Sequence, residues 1–476
     1  MLDVHVPGGR GAAALVVAAL VVAAGVPAAT AHSTATAAEV SGCQTIDSPG
    51  IYEVTANLTD APADGCIVVA ADNVVLSGNG HRLAAANGTG PAVLVTDAAR
   101  VSVSGLVLDG WETGVAYRGV DGGGVLDVTV TNASTGVSLA DGTADVTVDS
   151  VTVTDASTGV SFAGAGHSVL SRSTVAAPNG TGVAVTADDT AVVGNEVTDA
   201  RTGVRVTGAR GVEVARNTVS NATTGIAAED TGGVDIADNT LAAVGGRAVF
   251  VDGDLPPQYG DPPRAPDGTI RYDAAAFDPV RVGHEVTNNT IAGGNDYGVL
   301  VVDAADATVA GNTVTDTEDG IGLGDTEGVR VADNTIDGVG DDGVHLANAN
   351  HSVVAGNEIN DSGNDAVYAV GYANRVANNT LTNATDDGVD VQDGNATVLA
   401  GNRVVDSGDD AVFLRNAHGA TVSANHLVGS GDDGVDLRGV TRSTVVDNRL
   451  CATGEVPVVQ RRGAADNTVA NNTVGC

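Results

Sequence analysis

The stretch SGDDAVFLRNAHGATVSANHLVGSGDDGVDL, from Ser407 to Leu437, decides the fold. It contains Gly-Asp-Asp twice, 23 residues apart, and each copy runs into an apolar-x-apolar segment, Val412-Phe-Leu and Val435-Asp-Leu. Between them Asn425-His-Leu supplies an Asn-x-apolar step. Both marks recur along the chain. A small residue before apolar-x-apolar stands at Gly136, Gly159, Gly182, Gly203, Gly225, Ala248, Gly298, Gly320, Gly343, Ala366, Gly388, Ala411 and Gly434. The spacing is 21 to 23 residues, with one gap of 50 between Ala248 and Gly298. The asparagine mark, from Asn195 through Asn312 and Asn402 to Asn472, keeps the same rhythm and the same gap.

Within each unit apolar Val, Ile and Leu alternate with small or polar residues, and no helical periodicity is sustained. A unit this short cannot bury its own inner face, so it must stack on its neighbours. Each strand then pairs in parallel with its counterpart one unit on, at about 4.8 Å. The expected fold is all-β: a right-handed parallel β-helix of about 16 coils, 22–23 residues per coil. A propeller blade needs a repeat of about 40–45 residues. Leucine-rich repeats share the length, but their leucine framework is missing.

Composition narrows the function classes. The chain has 476 residues, 60 acidic and 22 basic, for a formal charge of -38. Every basic residue is arginine. Such a surface repels nucleic acid, whose binding depends on neutralising phosphates. With 43% hydrophobic residues, the chain is not a disordered acidic tail. Evenly spread acid without lysine suits a protein working in concentrated salt, where screening lengths fall to about 3 Å.

Arg10, the apolar Gly11–Val26 and the small-x-small Ala29-Thr-Ala31 predict a signal peptide over 1–31 and export to the cell exterior or surface. No stable membrane span is expected after cleavage. A cap segment is expected over 32–65 and the β-helix over 66–476, with a Pro-rich loop insertion at 252–283 holding six of the 13 prolines. The cysteines pair by proximity as Cys43 with Cys66 and Cys451 with Cys476.

The asparagine column is expected to be a hydrogen-bonded ladder inside the coil. A second column changes character along the chain. Before the strand the early coils carry threonine (Thr113, Thr135, Thr158), whereas the later ones carry Asp319, Asp342, Asp365, Asp387, Asp410 and Asp433. The outward position in the strand changes too, to His345, Tyr368, Asp390, Phe413 and Asp436, with Arg415 and Arg438 ending two strands. Alternation places these five in one outer row. An acidic row with aromatic rings suits an extended carbohydrate, with His345, Tyr368, Asp390, Phe413, Arg415, Asp436 and Arg438 as substrate-binding candidates. Asp342, Asp365, Asp387, Asp410 and Asp433 are candidate ligands for Ca²⁺, which favours clustered carboxylate oxygens. Turn chemistry and salt solvation are the plainer account of the same aspartates.

Ser41-Gly-Cys43 through Asp60, Cys66, and Asn73-Val-Val-Leu-Ser-Gly-Asn-Gly-His81 resemble the start of secreted right-handed β-helix proteins of salt-loving archaea. These belong to the pectate-lyase-like superfamily, with repeats similar to those of the NosD-type periplasmic copper-binding family. Asp409-Asp410-Ala-Val-Phe-Leu and Asp387-Gly388-Val-Asp-Val resemble segments of polygalacturonase-type glycoside hydrolases. That resemblance implies Asp387, Asp409 and Asp410 as catalytic residues, and Asp433 occupies the same corner one coil later. Gly431-Asp-Asp-Gly434 stands where that family has Gly-His-Gly, and its lysine is missing. Copper is not expected: Met1 is the only methionine and His345, His351, His418 and His426 lack a ligand spacing. The expected function is binding or processing of an extracellular polysaccharide, by a hydrolase or lyase if catalytic. A non-catalytic surface module and accessory metal handling are the competing classes.

Overall fold

The computed structural model describes residues 37–59, 61–85, 87–177, 180–253 and 283–475. The expected signal peptide, nearly all of the 252–283 loop and Cys476 lie outside these residues. From Ala37 onward the described chain forms one compact unit. It is the expected right-handed parallel β-helix, of about 17 turns and without a helix. Among the described residues no helix is long and apolar enough to cross a membrane.

A typical coil has three short strands. Thr421–Ser423, His426–Val428 and Val435–Arg438 pair in parallel with Thr444–Val446, Arg449–Cys451 and Val458–Arg461 of the next coil. Pairing begins at Ala38–Val40, which lies beside Gly50–Val54. The disulfide Cys43–Cys66 forms as expected, across 23 residues. Inward Val, Leu and Ile columns fill the tube, and Val412, Leu414, Val435 and Leu437 are all buried. Each such side chain contributes about 1.5–3 kcal/mol by leaving water.

The chain turns at its corners through residues in the left-handed region. The residue just before each ladder asparagine has positive φ: Gly194, Arg216, Asp238, Asn288, Gly311, Asp333, Gly356, Asn378, Gly401, Ala424, Asp447 and Asn471. Another corner uses Asp316, Gly338, Asp361, Asn383, Asp406 and Gly429. Asp, Asn and Gly tolerate this conformation best. Much of the acidic composition is therefore backbone geometry. None of the six column aspartates, from Asp319 to Asp433, is among these residues.

The asparagine ladder is built as expected. Asn402 Nδ2 donates to Asn425 Oδ1 at 3.0 Å and to the Val376 carbonyl at 2.9 Å, and its backbone N–H donates to the same Asn425 Oδ1 at 2.9 Å. The pattern repeats from Asn195 to Asn472. Every amide in it works as donor and acceptor, which buried polar groups require.

Candidate functional site: the aspartate column and its outer row

The later coils carry a second ladder, made of carboxylates. The backbone N–H of Asp342 donates to Asp319 Oδ1 at 3.2 Å, and Asp365 to Asp342 at 3.1 Å. Asp387 donates to Asp365 at 2.9 Å, and Asp410 to Asp387 at 2.8 Å. Asp433 donates to Asp410 at 2.8 Å, and Val456 N–H closes the series on Asp433 Oδ1 at 2.9 Å. All six aspartates are buried, so they are not solvated turn residues. An aspartate does half the work of an asparagine here: Oδ1 takes the N–H, but Oδ2 has no proton to donate.

The fate of that second oxygen varies along the column. Asp342 Oδ2 meets His345 Nδ1 at 2.8 Å. Asp433 Oδ2 receives Arg461 Nη2 at 2.7 Å. Asp410 Oδ2 is buried without a hydrogen bond, and the nearest guanidinium nitrogen, on Arg438, is 4.0 Å away. Among the described residues no donor reaches Oδ2 of Asp365 or Asp387.

These differences set the protonation. Burial pushes Asp365 up to about 8 and Asp387 to about 9, against the lowering effect of the N–H each accepts. Neighbouring carboxylates raise both further. Burial likewise brings Asp410 to about 7 and Asp319 to about 6. The middle of the column is thus protonated near neutral pH unless another cation replaces the proton. His345 moves upward, chiefly through its hydrogen bond to Asp342.

The outer row forms in the predicted register. His345, Tyr368, Asp390, Phe413 and Asp436 are direct partners on successive coils. Its two ends differ. Asp436 is fully covered, held by Arg438 Nε at 2.5 Å and Arg461 Nη1 at 3.2 Å. Arg438 also lies 4.5 Å over the Phe413 ring, a cation–π contact. Asp390 is buried, with Oδ2 accepting from Gln392 at 2.6 Å. Arg415 is exposed and donates to Gln392 Oε1.

At the other end the row is open. His345 and Tyr368 are half-buried, with ring centroids 4.9 Å apart and planes tilted by 44°. They line a cavity of about 340 Å³ together with Asp341, Asp342, Asn348 and Asn364. Tyr297 stands edge-on to His345 at 6.4 Å. Asp342 is fixed by three partners, since its Oδ1 also accepts from Asn364 Nδ2 at 3.1 Å and from Asp365 N–H. The aromatic wall and the polar rim are both preorganised.

Of the sequence candidates, the structure brings His345, Tyr368 and Asp342 to the cavity. Asp387, Asp409 and Asp410 form a separate group, with Asp433 beside it. Asp341, Asn348, Asn364, Tyr297 and Arg461 were missed as site residues. Arg461 had a signal, since it stands 23 residues after Arg438. The four histidines stay apart: His345 meets Asp342, His351 meets Glu327, His418 meets Thr441 and His426 meets Arg403. Only one group of three or more close ligand-type side chains among the described residues contains a histidine.

The coil geometry and the ladders define a parallel β-helix. The chain belongs to the family described as right handed beta helix region, which matches residues 135–254, 280–408 and 342–475. No curated protein matches it. Similar solved structures include a mutant of the periplasmic alginate epimerase AlgG, at 14% identity and TM-score 0.42, covering 69% of this chain and 77% of that one. Another is a tailspike protein mutant of E. coli bacteriophage HK620 in complex with a pentasaccharide, at 13% identity and TM-score 0.30, covering 87% and 71%. A hyperthermoactive exopolygalacturonase from Thermotoga maritima aligns at 10% identity and TM-score 0.31, covering 65% and 75%. Likeness at this level concerns the fold and carries neither activity nor substrate.

Proposed function

We propose that this is an exported, salt-adapted β-helix protein that binds an extracellular polysaccharide along the outer row. The carrying observation is the open end of that row: His345 and Tyr368 meet at a tilt beside an open cavity rimmed by Asp341, Asn348 and Asn364. Rings bury the apolar faces of a sugar, and the amides and carboxylates take its hydroxyls. Parallel coils repeat at about 4.8 Å, so a polymer lying along the rod meets a regular series of side chains. Buried Asp436, with Arg438 and Arg461 over it, closes the row at its far end and limits the contact region to the coils around His345, Tyr368 and Arg415.

The alternative is a surface module without a glycan ligand. A panel of neutral and acidic polysaccharides, in high salt with and without calcium, separates the two. The glycan reading expects saturable binding that weakens about tenfold in Tyr368→Ala, the loss of one stacking contact. Assays for reducing ends and unsaturated products on the same panel establish whether binding leads to hydrolysis or elimination. Failure of every polymer to bind the wild-type chain sinks the proposal.

A further inference from the structure

We infer that Asp387, Asp409 and Asp410 form a calcium site, independent of any glycan bound to the row. Three oxygens, one from each carboxylate, lie within 4.8 Å of one another. Asp387 and Asp410 are buried and Asp409 is half-buried. The Oδ1 atoms of Asp387 and Asp410 each accept a backbone N–H from the next coil, at 2.8 Å, so both carboxylates are held in place by the main chain. Asp410 Oδ2 is the independent sign of a missing partner: it belongs to a side chain of this group, is buried and makes no hydrogen bond. An ionised oxygen cannot stay buried and unpaired at low cost.

Arg438 does not fill the role. Its Nε is committed to Asp436 at 2.5 Å, and its Nη2 stays 4.0 Å from Asp410 Oδ2. One guanidinium shared with Asp436 cannot neutralise three carboxylates, so the group must keep protons or take up a further cation. The neighbouring groups are weaker candidates. In Asp365–Asp386–Asp387 the Asp386 side chain is exposed and no oxygen is buried without a hydrogen bond. In Asp410–Asp432–Asp433 the Asp433 carboxylate already receives Arg461 at 2.7 Å, and in Asp319–Asp342–His345 the imidazole already meets Asp342 at 2.8 Å.

The donor set favours a hard cation, because every ligand atom is a carboxylate oxygen. Calcium takes about six to eight oxygens in a flexible geometry, whereas magnesium demands near-ideal octahedral geometry and usually keeps several waters. Main-chain N–H groups hold Asp387 and Asp410 in place, so the ion with the less exacting geometry is the better fit. This assignment also changes the meaning of the three aspartates that resemble a hydrolase motif. Two of them are locked by backbone N–H groups and buried, and they face an ion instead of a sugar.

The test uses the full chain, freed of divalent ions by chelation and dialysed at pH 8 in high sodium chloride. Calcium chloride and magnesium chloride are titrated separately by calorimetry, and melting temperature is followed in parallel. Wild type is expected to bind calcium saturably, at least tenfold more tightly than magnesium, and to melt at higher temperature with calcium. Asp410→Asn keeps the Oδ1 acceptor, as the asparagine ladder does, and is expected to fold and to lose calcium affinity at least tenfold. Asp409→Asn is expected to do the same without touching the ladder. Asp406→Asn, at an exposed corner with positive φ, is expected to bind as wild type does. Absence of saturable calcium binding in wild type overturns the assignment. So does unchanged affinity in folded Asp409→Asn and Asp410→Asn chains, which would place the ion elsewhere.

Discussion

Asp365 Oδ1 accepts the backbone N–H of Asp387 at 2.9 Å, and Asn379 accepts the N–H of Asn357 through its own side-chain oxygen at the same distance. The two ladders run through the same coils and solve the same problem, a buried N–H at a corner. They run in opposite directions, the asparagine N–H donating to the next coil and the aspartate N–H to the preceding one, and their side chains differ in one atom. Where Asn357 Nδ2 goes on to Asn379 Oδ1 at 3.0 Å, Asp365 has an oxygen. That oxygen carries a proton, meets a cation or depends on what water reaches it.

Replacing Asp365 with asparagine therefore stabilises the chain. Asp365→Asn keeps the acceptor for the Asp387 N–H and removes a carboxylate that burial raises to about 8. The gain is expected to be about 1–3 kcal/mol above pH 8, because burial disfavours the charged carboxylate and an amide carries no charge. It falls as pH is lowered towards 4 and vanishes below that, where the aspartate is protonated in both states. Denaturant melts of both chains at pH 4.5 and 8.5 check this. Equal stability at pH 8.5 contradicts it.

The same carboxyls give the wild-type chain a pH dependence of unusual sign. Asp319 is raised to about 6 and Asp365 to about 8, chiefly by burial. In the unfolded chain an aspartate titrates near 3.9. Between those limits the folded chain holds more protons than the unfolded one, so stability falls as pH rises. The decline begins near pH 4 and continues past 6 towards 8. Melting temperature in chelator, read across pH 4 to 9, is expected to drop over that window. A flat or rising profile is the contrary result.

The fold was legible because a solenoid repeats its instructions. Asn402, Asn425 and Asn448 are read as one column from spacing alone, and the structure stacks them in register. The row His345, Tyr368, Asp390, Phe413, Asp436 followed from alternation in the same way. Burial was not legible. Asp406 and Asp410 are four residues apart, but Asp406 is an exposed left-handed corner and Asp410 is buried. The alphabet is the same, and only the third dimension says which aspartate has lost its water. The 23-residue spacing from Arg438 places Arg461 in the same column, but its covering of Asp436 depends on how far that side chain reaches back to the preceding coil.

Breaking the asparagine ladder in its middle is expected to be costly. In Asn402→Ala, the N–H of Asn379 and its Nδ2 both lose their acceptor on Asn402, and the Val376 carbonyl loses a donor. Buried polar groups left without partners cost about 1–3 kcal/mol each. A loss of about 3–5 kcal/mol in urea-melt stability is expected. A change below about 1 kcal/mol would show that water replaces the amide.

The arginine cover at the end of the row gives a final test, because it separates structural from binding residues. Asp436 is fully buried, and its Oδ2 is paired with Arg438 and Arg461, while Phe413 lies under the Arg438 guanidinium. Arg438→Ala leaves one of the two cations and uncovers the ring. Loss of a partner from a buried ion pair costs about 3–5 kcal/mol when no other remains. With Arg461 still in place, about 1–3 kcal/mol is expected. Arg415→Ala, which removes an exposed contact to Gln392 and a positive charge near Asp390, is expected to change stability by less than about 1 kcal/mol and to act on polysaccharide affinity instead. Paired melting and binding titrations of the two variants check the division. It fails if Arg415→Ala destabilises the chain as much as Arg438→Ala does.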